Sequence, residues 1–299
     1  MSCPKKINIV EVGPRDGFQS IEHWISTELK LEVIDELVKS NIKKIEFTSF
    51  VSPKAIEQMK DAKVIAETVI KKYKDIEFIA LIPNLFGAKA AWNAGIKEIA
   101  YVISASESHN MANVKRTIEQ SFEELVTLKK ELPDMKIKVD IATAFGCPFE
   151  GDVTVEQIKK MIDKCLALNI DDICLCDTIG IANPVQMKNV LSELNQTYPR
   201  LEYSLHLHDT RGMGLANVLV ALECGVTTFE TAVGGIGGCP FAPGAAGNTS
   251  SEDMVNMLIS MGIDTGINLE QLVKTAKLIE EKIKPNLTGR IVHIGSCSV

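Results

Sequence analysis

The chain has 299 residues, 45% of them hydrophobic and 24% charged, with a formal net charge of −7. These are ordinary proportions for a globular protein with a large core; the negative charge argues against a nucleic-acid surface, and no run of about 18 apolar residues offers a membrane span. Eight cysteines are scattered without a Cys-x-x-Cys pair, so neither a disulfide framework nor a structural zinc site is indicated; with no signal peptide at the start, a reducing cytoplasm is the expected compartment.

In chain order, apolar β-branched runs at 7–12, 44–49, 76–82, 98–104, 136–144, 170–178, 202–208 and 226–233 predict eight strands. Segments of helical period lie between them, at 27–40, 53–72, 85–94, 114–132, 154–168, 184–197 and 215–223. Several open on start signals: Ser26 before Thr27, Thr154 with Gln157, and Asn183 before Pro184. Strands alternating with amphipathic helices imply parallel strands joined by crossovers. Eight of them at this length predict an α/β fold, a closed (β/α)8 TIM barrel. The alternative, an open doubly wound sheet, usually has fewer strands. A Gly-rich loop and two further helices, at 251–261 and 269–284, follow strand eight. The expected organisation is a single catalytic domain, with residues 1–250 as the barrel and 251–299 as helices packed on it.

Barrel active sites lie at the C-terminal ends of the strands. Strand one ends in Gly13-Pro14-Arg15-Asp16-Gly17, strand two carries Glu46, Thr48 and Ser49, strand six ends at Asp177-Thr178, and strand seven ends in His206-Leu207-His208-Asp209. Alternation along a strand points His206 and His208 the same way, as a ready pair of metal ligands. Two hydrogen-bonded core imidazoles are the alternative. Asp16 either caps the next helix or joins the histidines around a divalent cation, since strands one, eight and seven are neighbours in a closed barrel. Arg15 can stabilise a developing oxyanion, or hold Glu46 or Asp177 in a salt bridge. The loop from Gly234 to Asn248 carries six glycines around Cys239, a thiol able to act as acid, base or nucleophile, or an inert small side chain. Asn248 offers a carbonyl oxygen to a metal, or a cap to the helix after Ser251. Mixed nitrogen and oxygen donors leave Mg²⁺, Mn²⁺, Fe²⁺ and catalytic Zn²⁺ open, and completion by substrate oxygens favours Mg²⁺ or Mn²⁺.

The motifs Gly13-Pro14-Arg15-Asp16-Gly17-Phe18-Gln19, Glu46-Phe47-Thr48-Ser49, Phe145-Gly146-Cys147-Pro148, Asp177-Thr178-Ile179-Gly180, His206-Leu207-His208-Asp209-Thr210 and Gly235 through Gly244, with Gly247-Asn248 and Glu252-Asp253, resemble 3-hydroxy-3-methylglutaryl-CoA (HMG-CoA) lyase over essentially the whole chain. The wider superfamily, with isopropylmalate and homocitrate synthases, shares the Arg-Asp and His-x-His elements but resembles the loop less. The resemblance implies a Mg²⁺- or Mn²⁺-dependent barrel lyase that cleaves HMG-CoA to acetoacetate and acetyl-CoA. It further implies that Asp16, His206, His208 and Asn248 hold the metal, that Arg15 stabilises the acetyl-CoA enolate, and that Cys239 takes part in proton transfer. Glu46, Asp177 and Glu252 are implied to position the site, and the CoA phosphates to meet lysines and helix N-termini near the barrel mouth. The expected partners are an acyl-CoA substrate and a second copy of the chain in a homodimer.

The chain departs from the family pattern at several places. Ser20-Ile21-Glu22 stands for the usual Asn-Glu-Lys, Lys138-Val139-Asp140-Ile141-Ala142 for Arg-Gly-Tyr-Val-Ser, and Arg211-Gly212-Met213 for Tyr-Gly-Gln. Asp140 is expected to place a carboxylate inside the barrel where the family has an aromatic. A related 3-hydroxy-3-methyl acyl-CoA is therefore an alternative substrate. An acetyl-CoA-dependent condensation with a 2-oxo acid is a further alternative, disfavoured by the short tail, and an inactive metal-binding scaffold is the non-enzymatic one. Cys297, near the C-terminus, is expected to have no role.

Overall fold

The computed structural model describes residues 3–238 and 247–294. Strands β1 (Asn8–Glu11), β2 (Lys44–Ser49), β3 (Glu77–Ile82), β4 (Glu98–Ser104), β5 (Lys136–Ala142), β6 (Ile173–Asp177), β7 (Tyr203–Leu207) and β8 (Thr228–Thr231) pair in sequence order, all parallel, and β8 returns to β1 to close the barrel. The crossovers are built on α1 (Thr27–Lys39), α2 (Ala62–Lys72), α3 (Leu85–Asn93), α4 (Glu107–Val114), α5 (Ile118–Glu131), α6 (Val155–Ala167), α7 (Pro184–Thr197) and α8 (Gly214–Glu223). The closed barrel expected from the alternation is thus observed, and the open sheet is excluded by the β1–β8 ladder. Among the described residues no helix is long and apolar enough to cross a membrane.

Local chemistry explains the boundaries. Thr117 and Thr154 open α5 and α6 with reciprocal capping boxes to Gln120 and Gln157. The helix expected over 114–132 begins later, as α5 at Ile118, and is preceded by one the periodicity did not predict: α4 starts on the Ser106 cap and ends at Lys115, whose φ of 58° breaks the helical path before α5. The segment expected at 53–72 likewise becomes a short 3-10 turn at Glu57–Met59 followed by α2. After β1 the chain does not simply turn; Gly13–Gly17 forms one turn of π-helix, with Pro14 at its start. Two further helices, α9 (Ser251–Ser260) and α10 (Leu269–Lys282), pack beside the α1 side of the barrel. Ser251 reaches Thr231 Oγ1 at 2.7 Å, and Gln271 donates to Glu36 at 2.6 Å.

The strands place two different sets of side chains on their two faces. Ile45 and Phe47 of β2, Leu205 and Leu207 of β7 and Phe229 of β8 are buried in the apolar layer between strands and helices. Glu46, His206 and Glu230, which alternate with them, face the barrel axis. Apolar packing is therefore concentrated outside the strands, and the interior is free to hold charge. Replacing Phe229, fully buried on the closing strand, by Ala is expected to cost about 3–5 kcal/mol. Urea denaturation measures this, and a loss below about 1 kcal/mol would show that closure does not depend on this layer.

Candidate active site

Strand β7 delivers His206 and His208 with their Nε2 atoms 3.1 Å apart. Two imidazole nitrogens facing each other at this distance cannot both carry a hydrogen. Asp16 joins them, and its carboxylate oxygen and the two ring nitrogens lie within 4.8 Å of one another. Asn248 arrives by backbone pairing: it forms an antiparallel bridge with His208, flanked by Asp209 N–H donating to Gly247 O and Thr249 N–H donating to Leu207 O, each at 3.0 Å. Its Nδ2 donates to Asp16 Oδ2 at 2.7 Å and to Ile236 O at 3.1 Å, while its buried Oδ1 has no hydrogen-bond partner among the described residues. Gly237 permits this approach, since at its φ of +136° an added Cβ would meet Asn248 Nδ2 at 2.5 Å. Converging Nε2 atoms, a carboxylate and an orphaned amide oxygen form a donor set that fits a divalent cation.

A chain of buried charges connects these donors through the barrel. Arg15 donates from Nη1 to Asp16 Oδ1 at 2.5 Å and from Nε to Glu46 Oε1. Glu46 Oε2 accepts from Lys138 Nζ at 3.3 Å, and Lys138 also pairs with Glu230. Glu230 Oε2 then meets His206 Nδ1 at 2.9 Å. Because β2, β5 and β8 are not neighbours in the barrel, these contacts run through its interior. The circuit therefore leads from Asp16 to His206 and ties two candidate ligands to one framework. In the neutral imidazole a hydrogen on His206 Nδ1, held by Glu230, would leave Nε2 with its lone pair, although without a metal the same carboxylate outweighs burial and raises the His206 pKa.

The electrostatics follow from the contacts. Burial works against the Asp16 carboxylate, but Arg15 and the histidines hold its pKa down at about 2. Burial also opposes charge on Glu230, yet Lys138 and His206 keep it below the usual carboxylate range. Lys138 stays charged despite full burial, its pKa raised well above normal by Asp140, Glu230 and Glu46. Burial, and then the charge of His206, push His208 down to about 4, which favours the neutral imidazole that a metal requires.

Arg15, Asp16, His206, His208 and Asp140 line one cavity of about 440 Å³, a size suited to a small-molecule site. Of the residues expected at the site, Arg15, Asp16, Glu46, His206, His208 and Asn248 come together. Asp177 and Glu252 do not line this cavity. Asp177 accepts the Ile181 and Ala182 amides at 2.9 and 3.1 Å and so shapes the turn after β6. Glu252 accepts the Gly234 amide at 2.9 Å, at the root of the Gly-rich loop. Cys239 and Cys297 lie outside the described residues. Asp140 is inside the barrel, as its position on strand five suggested, whereas Arg211 holds the Ile179 and Gly180 carbonyls at 2.8 and 3.1 Å, and neither it nor Met213 lines the cavity.

Two residues escaped the sequence reading. Glu230 was detectable, because alternation about Phe229 places it on the inner face beside His206. Glu11 was not: its carboxylate takes Gly13 N–H at 2.8 Å, Val233 N–H at 2.9 Å and Ser251 Oγ at 2.5 Å, joining three segments far apart in sequence. Burial, only partly offset by these donors, raises Glu11 to about 7.

The family model described as HMGL-like matches residues 6–279. The chain is 40% identical over 296 residues to the hydroxymethylglutaryl-CoA lyase of Bacillus subtilis, covering 98% of this chain and 99% of that one. To the mitochondrial hydroxymethylglutaryl-CoA lyase of Homo sapiens it is 39% identical over 294 residues, covering 98% and 90%. Among solved structures, an HMG-CoA lyase from Acinetobacter baumannii in complex with coenzyme A and 3-methylmalate superimposes with a TM-score of 0.90 at 39% identity, covering 100% of both chains.

Removing Lys138 leaves Glu46 and Glu230 buried without their shared counter-charge. Lys138→Met is expected to destabilise the fold by roughly 3–5 kcal/mol, and Lys138→Arg to recover most of it. Equal denaturation midpoints for wild type and Lys138→Met would disprove the role of the ammonium.

Proposed function

The chain belongs to the HMGL-like family, and on that premise we propose that it cleaves HMG-CoA to acetoacetate and acetyl-CoA at the Asp16–His206–His208 centre. The observation that carries the reading is the placement of Arg15 in the same cavity as the three donors, in a chain similar to HMG-CoA lyases over nearly its whole length.

In this reading Asp16, His206, His208 and Asn248 hold the divalent cation, Mg²⁺ or Mn²⁺. When bound, the cation supplies Lewis acidity that lowers the pKa of the tertiary hydroxyl. The reaction removes the hydroxyl proton, breaks the C2–C3 bond, and leaves acetoacetate and the enolate of acetyl-CoA, which takes up a proton at C2. Arg15 faces that enolate oxygen. Glu46 and Asp16 fix the guanidinium plane using two of its five N–H donors, so donors remain for an oxyanion in the cavity that it lines. An always-charged, preoriented donor is the kind that stabilises charge developed in the transition state. Glu230 orients His206, Glu46 orients Arg15, and Asp177 and Glu252 act one layer out, by shaping the β6 turn and the loop root. Cys239 is the proposed proton carrier on grounds of sequence alone.

A CoA thioester as substrate is in keeping with the coenzyme A in the Acinetobacter baumannii structure. Barrel and C-terminal helices are proposed to act as one domain, in a homodimer, since two-fold dimers are the common assembly. The cytoplasm is the proposed compartment; all described cysteines are free, as a reducing environment requires, and relatives include both mitochondrial and cytoplasmic enzymes.

Purified protein with Mg²⁺ or Mn²⁺ is expected to release acetyl-CoA from HMG-CoA, and a chelator to stop it. Arg15→Gln is expected to lower kcat by on the order of 10²–10³-fold while Mn²⁺ binding, followed by electron paramagnetic resonance, persists. Full activity in Arg15→Gln would remove the enolate role, and loss of Mn²⁺ in that variant would make Arg15 a support of the metal centre instead.

A further inference from the structure

Strand β6 turns Cys174 and Cys176 toward the barrel interior, because Ile173 and Leu175, which alternate with them, belong to the apolar layer outside. The two Sγ atoms are 4.0 Å apart, and both thiols are free. In register, Cys174 lies between Asp140 of β5 and Ser204 of β7, and Cys176 lies beside His206. A carboxylate oxygen of Asp140 and the two sulfurs lie within 4.8 Å of one another. Cys176 and Asp140 line the cavity that also holds Asp16, His206 and His208, so an ion has a path to them from the barrel mouth. The lyase chemistry proposed above uses none of the three.

The spacing of the sulfurs separates the two fates open to a thiol pair. Residues two apart on a strand have Cα atoms about 6.6 Å apart, near the far end of what a disulfide spans, and a disulfide needs its sulfurs drawn in to about 2.05 Å. A tetrahedral ion with metal–sulfur bonds of about 2.3 Å holds its sulfurs about 3.8 Å apart, close to the spacing found. Charge favours the ion as well. The interior sets two fixed cations, Arg15 and Lys138, against the four carboxyl groups of Asp16, Glu46, Asp140 and Glu230. Lys138 pairs with Asp140 Oδ1 at 3.1 Å, and a carboxylate so paired keeps its second oxygen as an acceptor. A divalent ion that replaces two thiol protons leaves the net charge of the interior unchanged, so it brings no unpaired charge into the barrel. We propose that Cys174, Cys176 and Asp140 form a second cation site, selective for a thiophilic divalent ion such as Zn²⁺ or Cd²⁺. On binding, two S–H bonds break, two metal–sulfur bonds form, and two protons pass to solvent, with no oxidant involved. Donor softness divides the two centres: the thiolates take the thiophilic ion, and the oxygen and nitrogen donors around Asp16 take Mg²⁺ or Mn²⁺. The inference is independent of the lyase reading, because it needs no substrate.

The test is an anaerobic titration of the Mn²⁺-saturated protein with Cd²⁺. It is read by the thiolate-to-cadmium absorption in the ultraviolet and by the electron paramagnetic resonance of bound Mn²⁺. The expected result is an absorption that saturates at one Cd²⁺ per chain while Mn²⁺ stays bound. Cys174→Ser and Cys176→Ser should each weaken Cd²⁺ binding by at least about 100-fold, beyond what the loss of a supporting partner around a metal costs. Either variant suffices, since each removes one of the two thiolates. Asp140→Asn should weaken binding by roughly 10-fold and keep the absorption, and Cys224→Ser, the control for an unrelated thiol, should bind as the wild type does. No thiolate absorption in the wild type, absorption retained at wild-type affinity in either interior serine variant, an unchanged affinity in Asp140→Asn, or release of Mn²⁺ in step with Cd²⁺ uptake overturns the inference.

Discussion

Lys138 carries an ammonium group to the middle of the barrel, where Glu46 and Glu230 close on it from strands that do not adjoin its own. An unpaired charge there would be prohibitively costly, and without it each partner would lose one of its two buried counter-groups. The three groups are therefore mutually obligatory. Glu46 in turn grips Arg15, and Glu230 grips His206. The orientation of Arg15 in the cavity and of the His206 ring, a candidate metal ligand, both depend on one buried ammonium.

This arrangement depends on the strict division of labour between strand faces. The outward face, with residues such as Phe47 and Phe229, supplies the apolar burial that stabilises the fold. That leaves the inner face open to polar residues where many barrels stack branched apolar ones. Interior charge is also what makes the position of Asp140 consequential. In a barrel already holding two cations and three other carboxylates, its carboxylate stands 3.1 Å from the Lys138 ammonium.

A second set of buried carboxylates works outside the cavity. Glu11, Asp177 and Glu252 take backbone amides of the turns at 13, 181–182 and 233–234. Each converts a side chain at a strand end or helix start into a fixed loop geometry, and Glu11 joins the strand-one turn to the strand-eight loop. Asp16 and Asn248, which lie near those two segments, are joined directly by the Asn248 Nδ2–Asp16 Oδ2 hydrogen bond. Precision at the site is thus supplied by hydrogen bonds to backbone together with the positive φ of Gly237.

The alternation of periods two and 3.6 was enough to read eight strands, their crossovers and the closed barrel, since burial of one face leaves that imprint on any sequence. The pair His206 and His208, the Arg15-Asp16 dipeptide and Asn248 were legible for a similar reason: they are local patterns at strand ends, where a barrel collects its chemistry. The break at Lys115 and the one-turn π-helix after β1 were not, because they turn on single backbone dihedrals. Nor did sequence separate Asp177 and Glu252, which hold turns, from Glu46, which reaches the interior. That distinction, and the circuit from Asp16 through Arg15, Glu46, Lys138 and Glu230 to His206, arise only when strands distant in sequence enclose one space. A residue's type and face are written locally, whereas the partner of a buried charge is chosen by closure of the barrel.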